Sequence, residues 1–208
     1  MRIPRSATIV ISALTAVAWL IVAATGATEG AAAAMGFIPA RVSGLLDVSP
    51  AVPAVLTPLS ATLVHGGFLH LVFNLLMLVW CGTAVERVLG RGALLLLYCV
   101  GAYAAAAAQW LADPASMVPV IGASGAISAV IGAFALSFGE AKRISRSPWL
   151  NRLLHAAWLL AAWVVLQMMV GWLAGGQGLL LATPAHVGGF LAGLLLQRPL
   201  LLWRFRGA

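Results

Sequence analysis

Charge is the first thing this sequence lacks. Only 8% of its 208 residues are Asp, Glu, Lys or Arg, and only five are acidic; a soluble domain carries roughly 25% charged residues. So few charges cannot cover a surface that faces water, and a soluble globular domain is excluded. Cysteine is nearly absent as well. Cys81 and Cys99 both lie inside apolar runs and read as small core hydrophobes rather than halves of a disulfide. No HExxH pattern occurs, and no carboxylate accompanies His65, His70 and His186. A metal-dependent enzyme or transporter is therefore disfavoured.

What the chain has instead is apolar length, with 62% of its residues hydrophobic. A helix that crosses a bilayer needs about 20 mostly apolar residues. Six segments qualify, near 7–25, 67–86, 92–112, 119–138, 153–173 and 182–202. The basic start and the apolar run of about 19 residues that follows exceed a signal-peptide core, so the first segment reads as a retained helix. Residues 26–66 hold "AAAAMGFIPARVSGLL" and "SPAVPAVLTP" and are too broken by Pro and Gly to span. They read as an outer loop with an interfacial helical piece and a turn. The expected fold is all-α: one polytopic membrane domain over residues 1–208.

The basic residues orient it. Arg2 and Arg5, Arg87 and Arg91, Lys142, Arg143, Arg146 and Arg152, and Arg198, Arg204 and Arg206 fall in the N-terminus, the second–third loop, the fourth–fifth loop and the C-terminus. With six spans these all lie on one face, and only Arg41 lies on the other. By the positive-inside rule that face is cytoplasmic and both termini are inside. The net charge of +7 thus reflects orientation in a bilayer rather than nucleic-acid binding. Trp110, Trp149, Trp172 and Trp203 fall near span ends, where indole rings favour the interface.

Polar side chains inside spans are costly and point to function. Here they gather at the outer ends of three inward-running spans: His70 and Asn74 in the second, Ser124 and Ser128 in the fourth, His186 in the sixth. At 1.5 Å rise per residue, Ser124 and His186 lie about 8 Å below the expected outer ends. His70 and Asn74 are four apart and share a face, as do Ser124 and Ser128. Both "GASGAISAVIGA" and "AHVGGFLAGLLL" are rich in small residues, which lets two helices approach closely enough for a serine and a histidine to bond. An imidazole can take the serine proton near neutral pH, and the resulting oxyanion needs donors, for which His70, Asn74 and the Ser124 N–H are at hand. None of Glu29, Asp47, Glu86, Asp113 and Glu140 falls in this layer inside a span, so any catalytic unit is a dyad. Ser128 is the rival hydroxyl, one turn deeper. His65 reads as an interfacial, structural or solvated residue, and His155 as interfacial at the other side.

Taken together, "LVHGGFLHLVFNLLML", "GTAVERVLG", "GASGAI" and "AHVGGFLAG" resemble, in order and spacing, the hallmark motifs of the rhomboid family of intramembrane serine proteases. The resemblance covers roughly residues 55–200. It implies a six-helix bundle with Ser124 as nucleophile, His186 as general base, and His70 and Asn74 at the oxyanion. It also implies close-packing roles for Gly122, Gly125, Gly189 and Gly193, and a structural role for Glu86. The implied activity is peptide-bond hydrolysis in or beside a transmembrane helix of a membrane-protein substrate, near its outer end, in a lipid bilayer. The composition suits a bacterial inner membrane. A non-catalytic rhomboid-like protein that binds transmembrane segments is the alternative, and retention of Ser124 and His186 counts against it. Two features depart from many bacterial members: no tryptophan occurs in residues 26–66, where a Trp-Arg pair is common, and Ser128 stands where an aromatic ring often packs on the histidine. The loop "AGGQGLLLATP", residues 174–184, is expected to be flexible enough to act as a lid over His186.

Overall fold

The computed structural model of the chain describes residues 6–138, 144–173 and 182–206. Helix α1 covers Ala7–Ala24. Two short helices follow, α2 (Thr28–Met35) and α3 (Pro39–Val42), and then a run of single turns from Ala54 to Leu63. The long helices are α4 (Phe68–Leu89), α5 (Arg91–Ala112), α7 (Pro148–Leu173) and α8 (Thr183–Arg204), and between them lies the shorter α6 (Ser124–Phe138). Among the described residues there is no β-sheet, only an isolated antiparallel bridge between Phe37 and Val120. Five helices, α1, α4, α5, α7 and α8, are long and apolar enough to cross a membrane, and the chain is an integral, multi-pass membrane protein.

Five of the six expected segments match these helices with shifts of a few residues at their ends. The fourth differs in a way that matters. It was expected over 119–138, but the helix begins at Ser124. Pro119 cannot donate a helical hydrogen bond. Val120 exchanges backbone bonds of 2.8 and 2.9 Å with Phe37. Gly122 has φ +106°, a left-handed conformation that no helix continues through. Ser124 is therefore the first residue of its helix rather than a residue five positions inside it.

The core sits where α6 meets α5 and α8. Almost every side chain of α6 is buried, from Ser124 to Ala135, so the helix is apolar all round and lies inside the bundle. Small residues permit this. A Cβ on Gly189 would overlap the Gly125 carbonyl oxygen, and one on Gly193 the Ala129 carbonyl oxygen. A Cβ on Gly188 would fall on Ala108 and Ala104, and one on Gly125 would lie 2.6 Å from the Ala105 methyl. The run of five alanines at 104–108 in α5 is thus a packing surface. Helix α7 is more loosely held: Ala156 and Trp163 are buried, while Trp158, Val165 and Met169 are exposed. It starts at Pro148, five residues earlier than expected, because Pro suits the first helical position and Ser147 caps the turn through the Leu150 N–H at 3.4 Å. Cys81 is a buried free thiol and Cys99 a half-buried one.

Glu86, in the last turns of α4, ties that helix to α1. Its carboxylate accepts from Ser6 Oγ (2.6 Å), Ala7 N (2.8 Å), Thr8 N (3.0 Å) and Thr8 Oγ1 (2.7 Å). The first N–H groups of a helix have no intrahelical acceptor, and the helix dipole favours an anion there. An acid in the last turn of the second long helix therefore fixes the start of the first.

Candidate active site

Three helix N-termini converge at one end of the bundle. Ser124 is the first residue of α6, His186 lies in the first turn of α8, and His70 lies in the first turn of α4. Ser124 and His186 are both buried, each 6% exposed. The Ser124 Oγ and the His186 Nε2 are 2.9 Å apart, within hydrogen-bonding range. Among the described residues this is the one hydrogen bond of the His186 side chain, and no carboxylate bonds to it.

The turn before Ser124 is held from several sides. The Gly122 N–H donates to the Ala61 carbonyl at 2.9 Å, and the Ala123 N–H donates to His65 Nε2 at 3.4 Å. His70 lies against Gly122 so closely that a Cβ there would stand 2.7 Å from its Cε1 and Nε2. Gly122 therefore has two reasons to be glycine, its positive φ and the imidazole beside it. Because Ser124 opens α6, its own N–H and those of Gly125 and Ala126 have no acceptor in the preceding turn. They form a ready site for negative charge beside the Ser124 hydroxyl.

His65 was expected to be solvated or structural at the interface. It is 1% exposed. Its ring meets that of His70 edge-on, with centroids 5.0 Å apart. Gly66 and Gly67 bend the chain between them, so no helical phase related the two histidines in the sequence. Asn74 is fully buried, and its Nδ2 donates to the His70 carbonyl at 2.8 Å within α4. That bond fixes the amide, and Asn74 Oδ1 has no partner among the described residues. A cleft beside Ser124 is lined by Thr62, Gly122, Gly125, Ala182, Ala185 and His186. Small side chains there leave room next to the hydroxyl. The loop expected to form a lid, 174–184, lies outside the described residues except at its last three positions.

Ser128 is not a second free hydroxyl. It is fully buried, donates to the Ser124 carbonyl at 2.7 Å, and accepts the indole N–H of Trp163 at 2.7 Å. The Trp163 ring in turn meets His186 edge-on, with centroids 6.2 Å apart and planes at 68°. The ring that residue 128 does not supply to His186 comes instead from α7. Sequence reading missed Trp163, because a mid-helix tryptophan in an apolar segment carries no signal of what it faces. Among the described residues no three of His, Cys, Asp and Glu converge in a way that could hold a metal ion.

Comparison with known proteins bears on the same stretch. The Rhomboid domain family model matches residues 53–203. The chain is 31% identical over 144 residues to RHOMBOID-like protein 5 of Arabidopsis thaliana, which is 69% of this chain and 43% of that protein. It is 42% identical over 79 residues to rhomboid protease GluP of Bacillus subtilis, 38% of this chain and 14% of the other. With rhomboid protease GlpG of Pectobacterium atrosepticum it shares 32% identity over 137 residues, 66% of this chain and 45% of the other. The match thus spans less than half the length of each of these relatives. The polar layer at the ends of three helices, the glycine-lined crossing beneath it and a family match over 53–203 agree, and the chain belongs to the rhomboid family.

Proposed function

We propose that this protein is an intramembrane serine endopeptidase that hydrolyses peptide bonds in or next to transmembrane helices by a Ser124–His186 dyad. The observation that carries this reading is the 2.9 Å approach of Ser124 Oγ to His186 Nε2 in a buried site. His186 Nε2 takes the hydroxyl proton as Oγ forms a bond to the scissile carbonyl carbon. The negative oxygen of the tetrahedral intermediate is met by the free N–H groups at the start of α6, with His70 and the second Nδ2 hydrogen of Asn74 as further donors. Collapse breaks the C–N bond, and the proton on His186 passes to the leaving amine. Water then attacks the acyl-enzyme, gives its proton to His186, and releases the carboxylic acid as Ser124 regains its hydrogen. No metal or cofactor takes part.

The basic residues support a six-span arrangement in which α6 is the fourth crossing and both termini are cytoplasmic. In that arrangement the dyad opens toward the outer side, and the membrane is a bacterial inner membrane. The reading is tested with the full chain in liposomes and a single-helix reporter that carries Ala at the cleavage point. Cleavage by the wild type, and none by Ser124→Ala or His186→Ala, is expected. Binding of the reporter without cleavage by any form would favour the non-catalytic alternative.

A further inference from the structure

The Ser124, Ser128, Trp163 and His186 contacts form a closed circuit. Ser124 Oγ meets His186 Nε2 at 2.9 Å. His186 meets the edge of Trp163, Trp163 donates to Ser128 Oγ, and Ser128 donates to the carbonyl of Ser124 itself. A buried indole N–H needs an acceptor, and a buried hydroxyl needs both its proton and a lone pair used. Each of the two groups satisfies the other, so neither is free to turn. Trp163 is 2% exposed on a helix whose neighbouring residues Ala161, Ala162 and Val165 are exposed. Its indole is held both by packing in the core, where Leu159, Leu160 and Leu166 of the same helix lie half-buried, and by the bond to Ser128. The imidazole of His186 has no second hydrogen bond among the described residues to fix its rotation about Cβ–Cγ. The ring edge of Trp163 is the aromatic neighbour of that imidazole.

We propose that Trp163, held by Ser128, is a positioning residue that fixes the His186 ring for proton transfer from Ser124. It rests on the dyad reading above. It also gives α7 a part in catalysis: any movement of this lightly packed helix is felt at the base. A wall of this kind acts on the maximal rate, because a ring misplaced by about 1 Å costs on the order of 100-fold.

The test is the rate at which a fluorophosphonate probe labels the full chain in detergent micelles, resolved into a maximal rate and a half-saturating concentration. Trp163→Leu, which keeps the site apolar but removes the ring, should lower the maximal rate by about 10- to 100-fold with little change in half-saturation. Trp163→Phe, which keeps a ring edge but loses the N–H, should recover most of that loss. Ser128→Ala removes that bond and also its own bond to the Ser124 carbonyl, so it should fall at least as far as Trp163→Phe, and the double variant should fall no further than Ser128→Ala alone. Thermal midpoints of Trp163→Leu and Trp163→Phe should be alike, which a purely structural role would not combine with unequal rates. Equal maximal rates for Leu and Phe at position 163, or multiplied losses in the double variant, would overturn the proposal. Should Trp163→Leu fail to fold, the Ser128→Ala, Trp163→Phe and double-variant comparison decides alone. Labelling of Ser124→Ala at the wild-type rate would instead sink the dyad reading, whatever the series at 163 does.

Discussion

Gly189 of α8 lies directly on the carbonyl of Gly125 of α6, one residue beyond the start of the helix that presents Ser124. With the helices this close, His186 Nε2 lies 2.9 Å from Ser124 Oγ. Two helices carrying ordinary side chains at the crossing sit 8–10 Å apart between axes, and glycine on both sides brings the backbones closer. Gly189→Ala must push α8 away, because the added carbon meets backbone oxygen rather than a side chain that can swing aside. We expect it to cost about 1–3 kcal/mol of stability. We also expect a loss of labelling at Ser124 larger than the shift in thermal midpoint explains. A Gly189→Ala protein that labels at the wild-type rate would show that the crossing does not set the dyad.

Glu86 makes a separate prediction, on stability alone. Its four hydrogen bonds all go to the first residues of α1. Glu86→Gln keeps the shape but removes the charge and one acceptor oxygen, at an expected cost of about 2 kcal/mol. The thermal midpoint should fall while labelling of Ser124 below that midpoint stays intact. Unchanged stability would mean that the cap on α1 contributes nothing.

His65 ties pH to stability. Burial first, and the neighbouring His70 second, push it down from 6.5 to about 3. The unfolded chain takes up this proton near 6.5 and the folded chain only near 3. Between those values the unfolded state binds more protons, so stability is lost as the pH falls through that window. His65→Gln removes one titrating group and should flatten the dependence of the thermal midpoint on pH between 4 and 6.5. Parallel curves for the two proteins would contradict the buried, neutral state assigned to His65.

Much of this architecture was legible because a bilayer imposes simple rules. The apolar runs located α1, α4, α5, α7 and α8 to within about five residues, and Ser124 and His186, singled out as polar groups within spans, lie in hydrogen-bonding contact. The glycines at 189 and 193 stood out because small residues four apart have a direct packing meaning, and Gly125 through the resemblance of its motif. The start of α6 did not, since hydropathy cannot distinguish an apolar loop from an apolar helix. Only the backbone of Gly122 and the pairing of Val120 with Phe37 show that residues 119–123 are not helical. The burial of His65 and the reach of Trp163 are tertiary facts. Each depends on which element lies opposite, and no periodicity within a single segment encodes that.

Ser124 and Ser128 offer the most direct trial of the central claim, since both are hydroxyls on the same face of α6 and only one is bonded to His186. The measurement is mass spectrometry of the site modified by a fluorophosphonate in the intact wild-type protein and in His186→Ala. The account predicts an adduct on Ser124 in the wild type and none in His186→Ala. An adduct on Ser128, or undiminished modification of Ser124 without His186, would contradict it.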